Sequence, residues 1–147
     1  MEKIQFHDDI IKGMHFIDYF RMMRSKADFV LAFDAAGRFY GYTFDVIPPI
    51  DVYVEKISAE LEREGVFQQH VVRSFGDIPI VIENGFRITS EEKTLVDMFQ
   101  KNGMYGYDMY RAFDTYYGDH GSFDKVEVPK ELKKDFDRCV ADTISEW

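Results

Sequence analysis

Apolar residues recur with a helical period along the first part of the chain. In "DDIIKGMHFIDYFRMMRS", Ile10, Met14 and Ile17 lie on one stripe, which predicts a helix over residues 8–24 that begins at an aspartate. The next segment, "ADFVLAFDAAGRFYG", predicts a second helix that ends near Gly41. The amino-terminal part of the chain is therefore expected to be helical.

The pattern alternates in the middle of the chain. Ile50, Val52 and Val54 are separated by Asp51 and Tyr53, as in a strand with one buried face. "VFQQHVVRSF" predicts another strand. The intervening "SAELEREG" predicts a short helix, with a serine as its N-cap and a glycine as its end.

The clearest local signal is "IPIVIENGFRIT". Asn84-Gly85 stands between two apolar runs and favours a two-residue turn with positive φ angles, which makes a tight hairpin. Strands are therefore expected near residues 78–83 and 86–89.

Helical spacing returns after the hairpin. It predicts a helix directly after Ser90, another over residues 107–117, and an amphipathic helix from Pro129 to Trp147. Because the strands cluster between helices, the fold class is α+β, with a small mixed or antiparallel sheet covered by helices. We expect a single domain over residues 1–147, with an N-terminal helix within 1–27 and a C-terminal helix within 129–147.

Charge and cysteine content narrow the classes of function. The net charge is −9, with 27 acidic and 18 basic residues, which disfavours nucleic-acid binding and favours a neutral or basic protein partner. The single Cys139 excludes an internal disulfide and fits a reducing compartment. No apolar run approaches the ~18 residues of a membrane span, and no signal peptide is visible. We therefore expect a cytoplasmic protein without membrane contact.

The segment "TSEEKTLVDMFQ", residues 89–100, combines charges and hydroxyls with an apolar face. Thr89 or Ser90 is predicted to cap the helix, and Thr89 with Glu92 fits a capping box. Asp97 and Lys101 have the spacing and order of a favourable helical ion pair. Asp97 is predicted to be structural, bonded to a backbone group or to a base outside its own helix.

This segment resembles the one that marks AbiEi-type abortive-infection antitoxins, in which a hairpin leads into a helix of the form Ser-Pro-Glu-Arg/Lys-Thr-Leu-x-Asp. The matching positions are Ser90, Glu92, Lys93, Thr94, Leu95 and Asp97, and Glu91 stands where the family has proline. The similarity extends over about residues 28–118.

The resemblance implies a cytoplasmic, non-enzymatic antitoxin module that counters a nucleotidyltransferase toxin. Members of the family usually carry an amino-terminal winged helix that binds the operator. Only about 27 residues precede the similar region here, and they are not basic. The resemblance therefore implies the toxicity-countering domain without operator binding.

A group of aromatic residues follows the motif. Tyrosines are enriched at protein interfaces because the ring is apolar and the hydroxyl stays hydrated. The candidate partner surface comprises Tyr105, Tyr107, Tyr110, Tyr117 and the acidic loop that begins at Asp119. A core role for the same rings, including Tyr116, is the alternative.

Two other classes of function are left open. The first is an acidic, phage-type inhibitor that binds a basic nucleic-acid enzyme. The second is a small metal-dependent hydrolase using Asp77, Glu91 and Lys93, although the latter two fall in the first turn of a helix. The histidines at positions 7, 15, 70 and 120 lack metal-ligand spacing, and no phosphate-binding glycine loop is present. We therefore predict no cofactor and no metal.

Overall fold

The computed structural model describes residues 9–44, 46–104 and 106–147, and for residues 107 and 108 only the backbone. In this part of the chain, helices and strands alternate irregularly. The helices are α1 (Phe16–Arg24), α2 (Phe33–Tyr40), α3 (Ala59–Glu64), α4 (Glu91–Asn102), α5 (Tyr107–His120) and α6 (Lys133–Ser145). The strands are β1 (Ile10–Ile11), β2 (Met14–His15), β3 (Val30–Leu31), β4 (Ile50–Val54), β5 (Phe67–Val71), β6 (Ile80–Glu83) and β7 (Phe86–Thr89).

Five strands form one mixed sheet in the order β5-β4-β3-β7-β6. β4 runs parallel to β5, and β3 runs parallel to β7, whereas the pairs β3–β4 and β6–β7 are antiparallel. β1 and β2 form a separate two-stranded hairpin. The α+β class is confirmed, and the sheet is mixed.

The sheet packs on both faces. One face buries the apolar residues of β4 together with α1, α2 and α3, with Phe16, Phe20 and Leu61 at its centre. The opposite face buries a smaller cluster that includes Phe33 and Tyr53. A third cluster joins α4, α5 and α6 and contains, among others, Leu95, Met98, Phe99, Phe113 and Phe136.

α2 and α4 approach each other closely at a glycine. A Cβ on Gly37 would lie 2.6 Å from Sδ of Met98, whose side chain is fully buried. The glycine therefore permits the contact that joins the sheet layer to the helical layer.

The helix predicted over residues 8–24 is only partly correct, because α1 begins at Phe16. Lys12 and Gly13 have φ angles of 50° and 78°, and this pair of left-handed residues turns β1 back onto β2. The apolar residues at 10 and 14 thus belong to a hairpin. Residue 8, where the predicted helix begins, lies outside the described residues.

The second predicted helix is also shorter than expected. Val30 and Leu31 are fully buried and form the central strand β3, so α2 begins only at Phe33. β4 was predicted to be half buried, yet all five of its residues are buried. Apolar and polar side chains do alternate between the two faces of β4, but side chains of α4 cover the polar face, including Asp51.

The remaining elements agree closely with the sequence. Asn84 and Gly85 have φ angles of 52° and 84° and join β6 to β7, as the hairpin prediction required. α3 is capped by Ser58 and ends at Gly65. The predicted carboxyl-terminal helix is present as a short 3₁₀ turn, Lys130–Leu132, followed by α6. No helix in the described residues is long and apolar enough to cross a membrane.

Candidate functional site

The motif residues form the junction between β7 and α4. The hydroxyl of Ser90 accepts a hydrogen bond from the backbone N–H of Lys93 at 3.2 Å, so Ser90 is the N-cap. Thr89 is fully buried, and its hydroxyl lies 2.6 Å from that of Thr94. The predicted capping box is therefore wrong, because the hydroxyl of Thr89 bonds inward and Glu92 accepts a hydrogen bond from the hydroxyl of Tyr116 at 2.8 Å.

Asp97 is the most buried charge of the motif. Its carboxylate accepts a hydrogen bond from the hydroxyl of Tyr53 at 2.7 Å and pairs with Nζ of Lys93 at 2.9 Å. Burial raises the pKa of Asp97, while the hydrogen bond from Tyr53 and the charge of Lys93 act in the opposite direction. The prediction that Asp97 bonds to a backbone group or to a base outside its own helix is therefore wrong. Its partner from another element is the hydroxyl of Tyr53, and its basic partner, Lys93, lies on the same helix.

Lys101 contacts acids on other elements. Its Nζ lies 2.7 Å from Asp51 on β4 and 3.3 Å from Asp34 on α2. The predicted pair of Lys101 with Asp97 is therefore wrong, because the buried side of α4 faces carboxylates of the sheet layer that attract the ammonium group. The imidazole Nε2 of His70 contacts the other oxygen of Asp51 at 2.9 Å.

These groups border an open depression of about 450 Å³ lined by Phe33, Asp51, Tyr53, His70, Gln100 and Lys101. A paired histidine and aspartate resemble part of a general-base system. The described residues that line the depression include no serine, threonine or cysteine to serve as a nucleophile. Both oxygens of Asp51 are already bonded, and the ring of His70 stacks on Phe33 with centroids 4.8 Å apart. The carboxylate of Asp51 is therefore held between an imidazole and an ammonium group.

A second polar cluster lies where the start of α4 meets the end of α5. Nε2 of His120 is 2.6 Å from Glu91, and the adjacent Glu92 bonds to the buried Tyr116. Glu91, Glu92 and His120 form a group of possible metal ligands. Among the described residues, Asp77 of the hydrolase alternative does not belong to this group. The spacing of the histidines along the chain gave no sign of this group, since tertiary packing brings His120 to a residue 29 positions earlier.

The predicted tyrosine surface divides into different environments. Tyr110 is exposed over 64% of its surface, whereas Tyr116 is fully buried and belongs to the core alternative. Tyr117 is partly buried, and its ring stacks on Phe123 with centroids 5.7 Å apart. Asp119 is exposed. Tyr105 lies outside the described residues, as does the side chain of Tyr107.

Tyr110 borders an apolar groove of about 260 Å³ between α5 and α6. The groove is lined by Met104, Met109, Tyr110, Phe113, Cys139, Asp142, Thr143, Ser145 and Glu146. Burial raises the pKa of the Cys139 thiol and thereby disfavours the reactive thiolate. The groove combines an apolar floor with two acids, and Tyr110 is the residue of the predicted partner surface that lines it.

These observations define an α+β protein with a mixed five-stranded sheet and a helical layer joined to it by the Lys101–Asp51 ion pair and the Tyr53–Asp97 hydrogen bond. No protein-family model matches the chain, and neither the curated proteins nor the solved structures give a significant match.

Proposed function

We propose that this chain is a non-enzymatic, antitoxin-like domain that binds and counters a nucleotidyltransferase toxin. The observation that carries the proposal is the role of the resembling segment. Ser90 caps α4 itself, whereas Thr94 bonds to Thr89 at the end of β7 and Asp97 accepts a hydrogen bond from Tyr53 on β4. The polar groups of the motif are used in bonds within the protein, so the motif stabilises the fold. This supports a function based on binding by the folded domain.

The polar groups next to the motif further support a non-enzymatic role. Asp51 and Asp97, with side chains exposed by only 5% and 1%, each lie within 3 Å of a lysine ammonium group. Carboxylates neutralised in this way are poor general bases and poor ligands for an additional cation.

The groove between α5 and α6 is the proposed contact surface for the toxin. Tyr110, which lines the groove, is exposed over 64% of its surface, whereas Ile144 and Trp147, exposed over 46% and 65%, do not line it. Asp142 and Glu146 add negative charge to the groove. An enzyme that binds nucleotides or nucleic acid presents basic residues to phosphate, so its surface complements an acidic groove with an aromatic border.

The same charge favours a second candidate, an inhibitor of a basic nucleic-acid enzyme from another class. The net charge of −9 is the observation in its favour. The two functions differ in their target, because only the antitoxin relieves the growth arrest caused by a nucleotidyltransferase.

Co-expression with a cognate nucleotidyltransferase toxin tests the proposal. The wild type is expected to restore growth and to bind the purified toxin. Tyr110→Ser is expected to weaken binding at least tenfold, the effect of losing an aromatic anchor. Ile82→Ser is the matched control, because Ile82 is equally exposed, at 64%, but lies on β6.

Two results would overturn the proposal. The first is failure of the folded wild type to bind the toxin or restore growth. The second is loss of rescue in His120→Ala with unchanged binding and fold, because this would indicate an enzymatic activity. Inhibition of an unrelated basic nuclease, abolished by salt, would support the second candidate instead.

A further inference from the structure

Three metal-ligand side chains converge between two helices. Glu91 and Glu92 lie in the first turn of α4, and His120 is the last residue of α5. One ligand atom from each residue lies within 4.8 Å of the others. Ligand atoms around a tetrahedral zinc ion are separated by about 3.4 Å, given Zn–N and Zn–O bonds of about 2.1 Å. Small side-chain rotations therefore bring the three groups into coordination distance.

The two glutamates lack a cationic side chain that would neutralise them permanently. In the described part of the chain, neither forms an ion pair with a lysine or arginine, and the imidazole of His120 is the single basic partner of Glu91. Their negative charges act on three buried or partly buried phenols. Burial is the main cause of the raised pKa values of Tyr40, Tyr42 and Tyr116, and the negative charges of both glutamates add to it.

The hydroxyl of Tyr42 provides an independent indication of a ligand. Tyr42 is fully buried, and its hydroxyl has no hydrogen-bond partner among the described residues. The neighbouring phenols are both bonded, Tyr40 to the carbonyl of Thr89 and Tyr116 to Glu92. An unpaired buried hydroxyl is costly, so a native protein usually supplies it with an acceptor. Tyr42 packs in the same buried cluster as Tyr116, whose hydroxyl bonds Glu92 and whose ring stacks on His120 with centroids 4.3 Å apart.

We propose that Glu91, Glu92 and His120 bind a divalent first-row transition metal, represented by Zn²⁺, and that the Tyr42 hydroxyl donates a hydrogen bond to a water or carboxylate oxygen on the ion. Two carboxylates and an imidazole suit such an ion, whereas Mg²⁺ and Ca²⁺ prefer ligand sets made only of oxygen. Three protein ligands also leave a coordination position for water.

The bound ion joins the start of α4 to the end of α5. It therefore stabilises the helical layer that carries the groove, and it neutralises charge that the protein itself leaves unbalanced. This role goes beyond the proposed binding of a toxin, and its tests do not require a toxin.

Calorimetric titration of the untagged, metal-free chain with Zn²⁺ tests the site. The expected result is one equivalent bound with a micromolar Kd, and much weaker binding of Mg²⁺. His120→Ala and Glu91→Gln are each expected to weaken Zn²⁺ binding at least tenfold. His70→Ala is the matched control, because His70 also contacts a carboxylate, at 2.9 Å, but outside the cluster. A hundredfold excess of Zn²⁺ over its Kd is expected to raise Tm by about 5 °C or more.

Tyr42→Phe gives a readout that a purely structural role would not produce. Removal of the unpaired hydroxyl is expected to maintain or raise Tm without metal and to weaken Zn²⁺ binding about tenfold, as loss of an outer hydrogen bond to a metal ligand does. Three results would overturn the proposal: no Zn²⁺ binding by the wild type, equal affinity in folded His120→Ala and Glu91→Gln, or equal affinity for Mg²⁺.

Discussion

The two sides of α4 carry carboxylates in opposite settings. Toward the sheet layer, Asp97 and the facing Asp51 are buried, and each contacts a lysine ammonium group within 3 Å. Toward α5, Glu91 and Glu92 are partly exposed and have only an imidazole and a tyrosine hydroxyl as side-chain partners in the described residues. One helix therefore presents a neutralised acidic face and an uncompensated one.

Carboxylates on one side of α4 hold the layers together, whereas those on the other side keep oxygens that can bind a ligand. A buried carboxylate loses its hydration and is tolerated only with charged or hydrogen-bonding partners, so its partners become essential to the fold. A carboxylate in the first turn of a helix is stabilised by the free N–H groups and by water, and it needs no lysine. The first arrangement joins two layers, whereas the second leaves ligand atoms available.

The strongest test of the comparison is the removal of Asp97. Asp97→Ala leaves the hydroxyl of Tyr53 and the ammonium group of Lys93 without their acceptor, so we expect a loss of about 3 kcal/mol in the free energy of unfolding. Urea denaturation measures it. Asp119→Ala, at an exposed acid on α5, serves as the control and is expected to change stability by less than about 0.5 kcal/mol. Equal stability of the two variants would refute the structural role of Asp97.

A smaller effect is expected from pH. Burial raises the pKa of Asp97 above its ordinary value of 3.8, so the folded state binds this proton more tightly than the unfolded state. The stabilisation linked to Asp97 is therefore complete below the ordinary value and declines as pH rises through the raised pKa. Urea denaturation of the wild type and Asp97→Asn between about pH 4 and pH 7 measures this decline, because asparagine does not titrate. An advantage of the wild type that grows with pH would contradict this sign.

The smallest change in stability is expected from replacing Glu91 and Glu92, the glutamates that have no lysine or arginine partner in the described residues. In Glu91→Gln/Glu92→Gln, relief of repulsion between adjacent charges offsets the lost interaction with the helix dipole, and the amides retain hydrogen-bond acceptors. We therefore expect stability in metal-free buffer to change by less than about 0.5 kcal/mol. A loss above about 1 kcal/mol in thermal or urea unfolding would show that these glutamates hold the fold as Asp97 does, and the comparison would fail.

The elements predicted correctly are those with local causes. Asn84-Gly85 adopts positive φ angles because its own residues favour them, and the hairpin follows from that preference. Ser90, one of the two predicted caps, caps α4 through a bond to a residue three positions later. Such interactions depend on few neighbours, so the order of residues is sufficient to predict them.

The failures involve competition between local patterns and the rest of the fold. Ile10 and Met14 have helical spacing, but the left-handed turn at Lys12 and Gly13 places them on two short strands. Lys101 has the spacing to pair with Asp97, yet Asp51 and Asp34 lie closer to its ammonium group once α4 packs on the sheet layer. In both cases several geometries satisfy the local pattern, and packing selects among them.

The sequence by itself determined the α+β class, the β6–β7 hairpin and the capped motif helix, because turn chemistry and amphipathic periodicity act over a few residues. The tertiary structure alone decided which carboxylates are neutralised and which are not. His120 lies 29 positions after Glu91, and Lys101 lies 50 positions after Asp51, so no spacing rule relates them. Their meeting depends on the packing of α4 between the sheet and α5, and the electrostatics of both clusters follows from that packing.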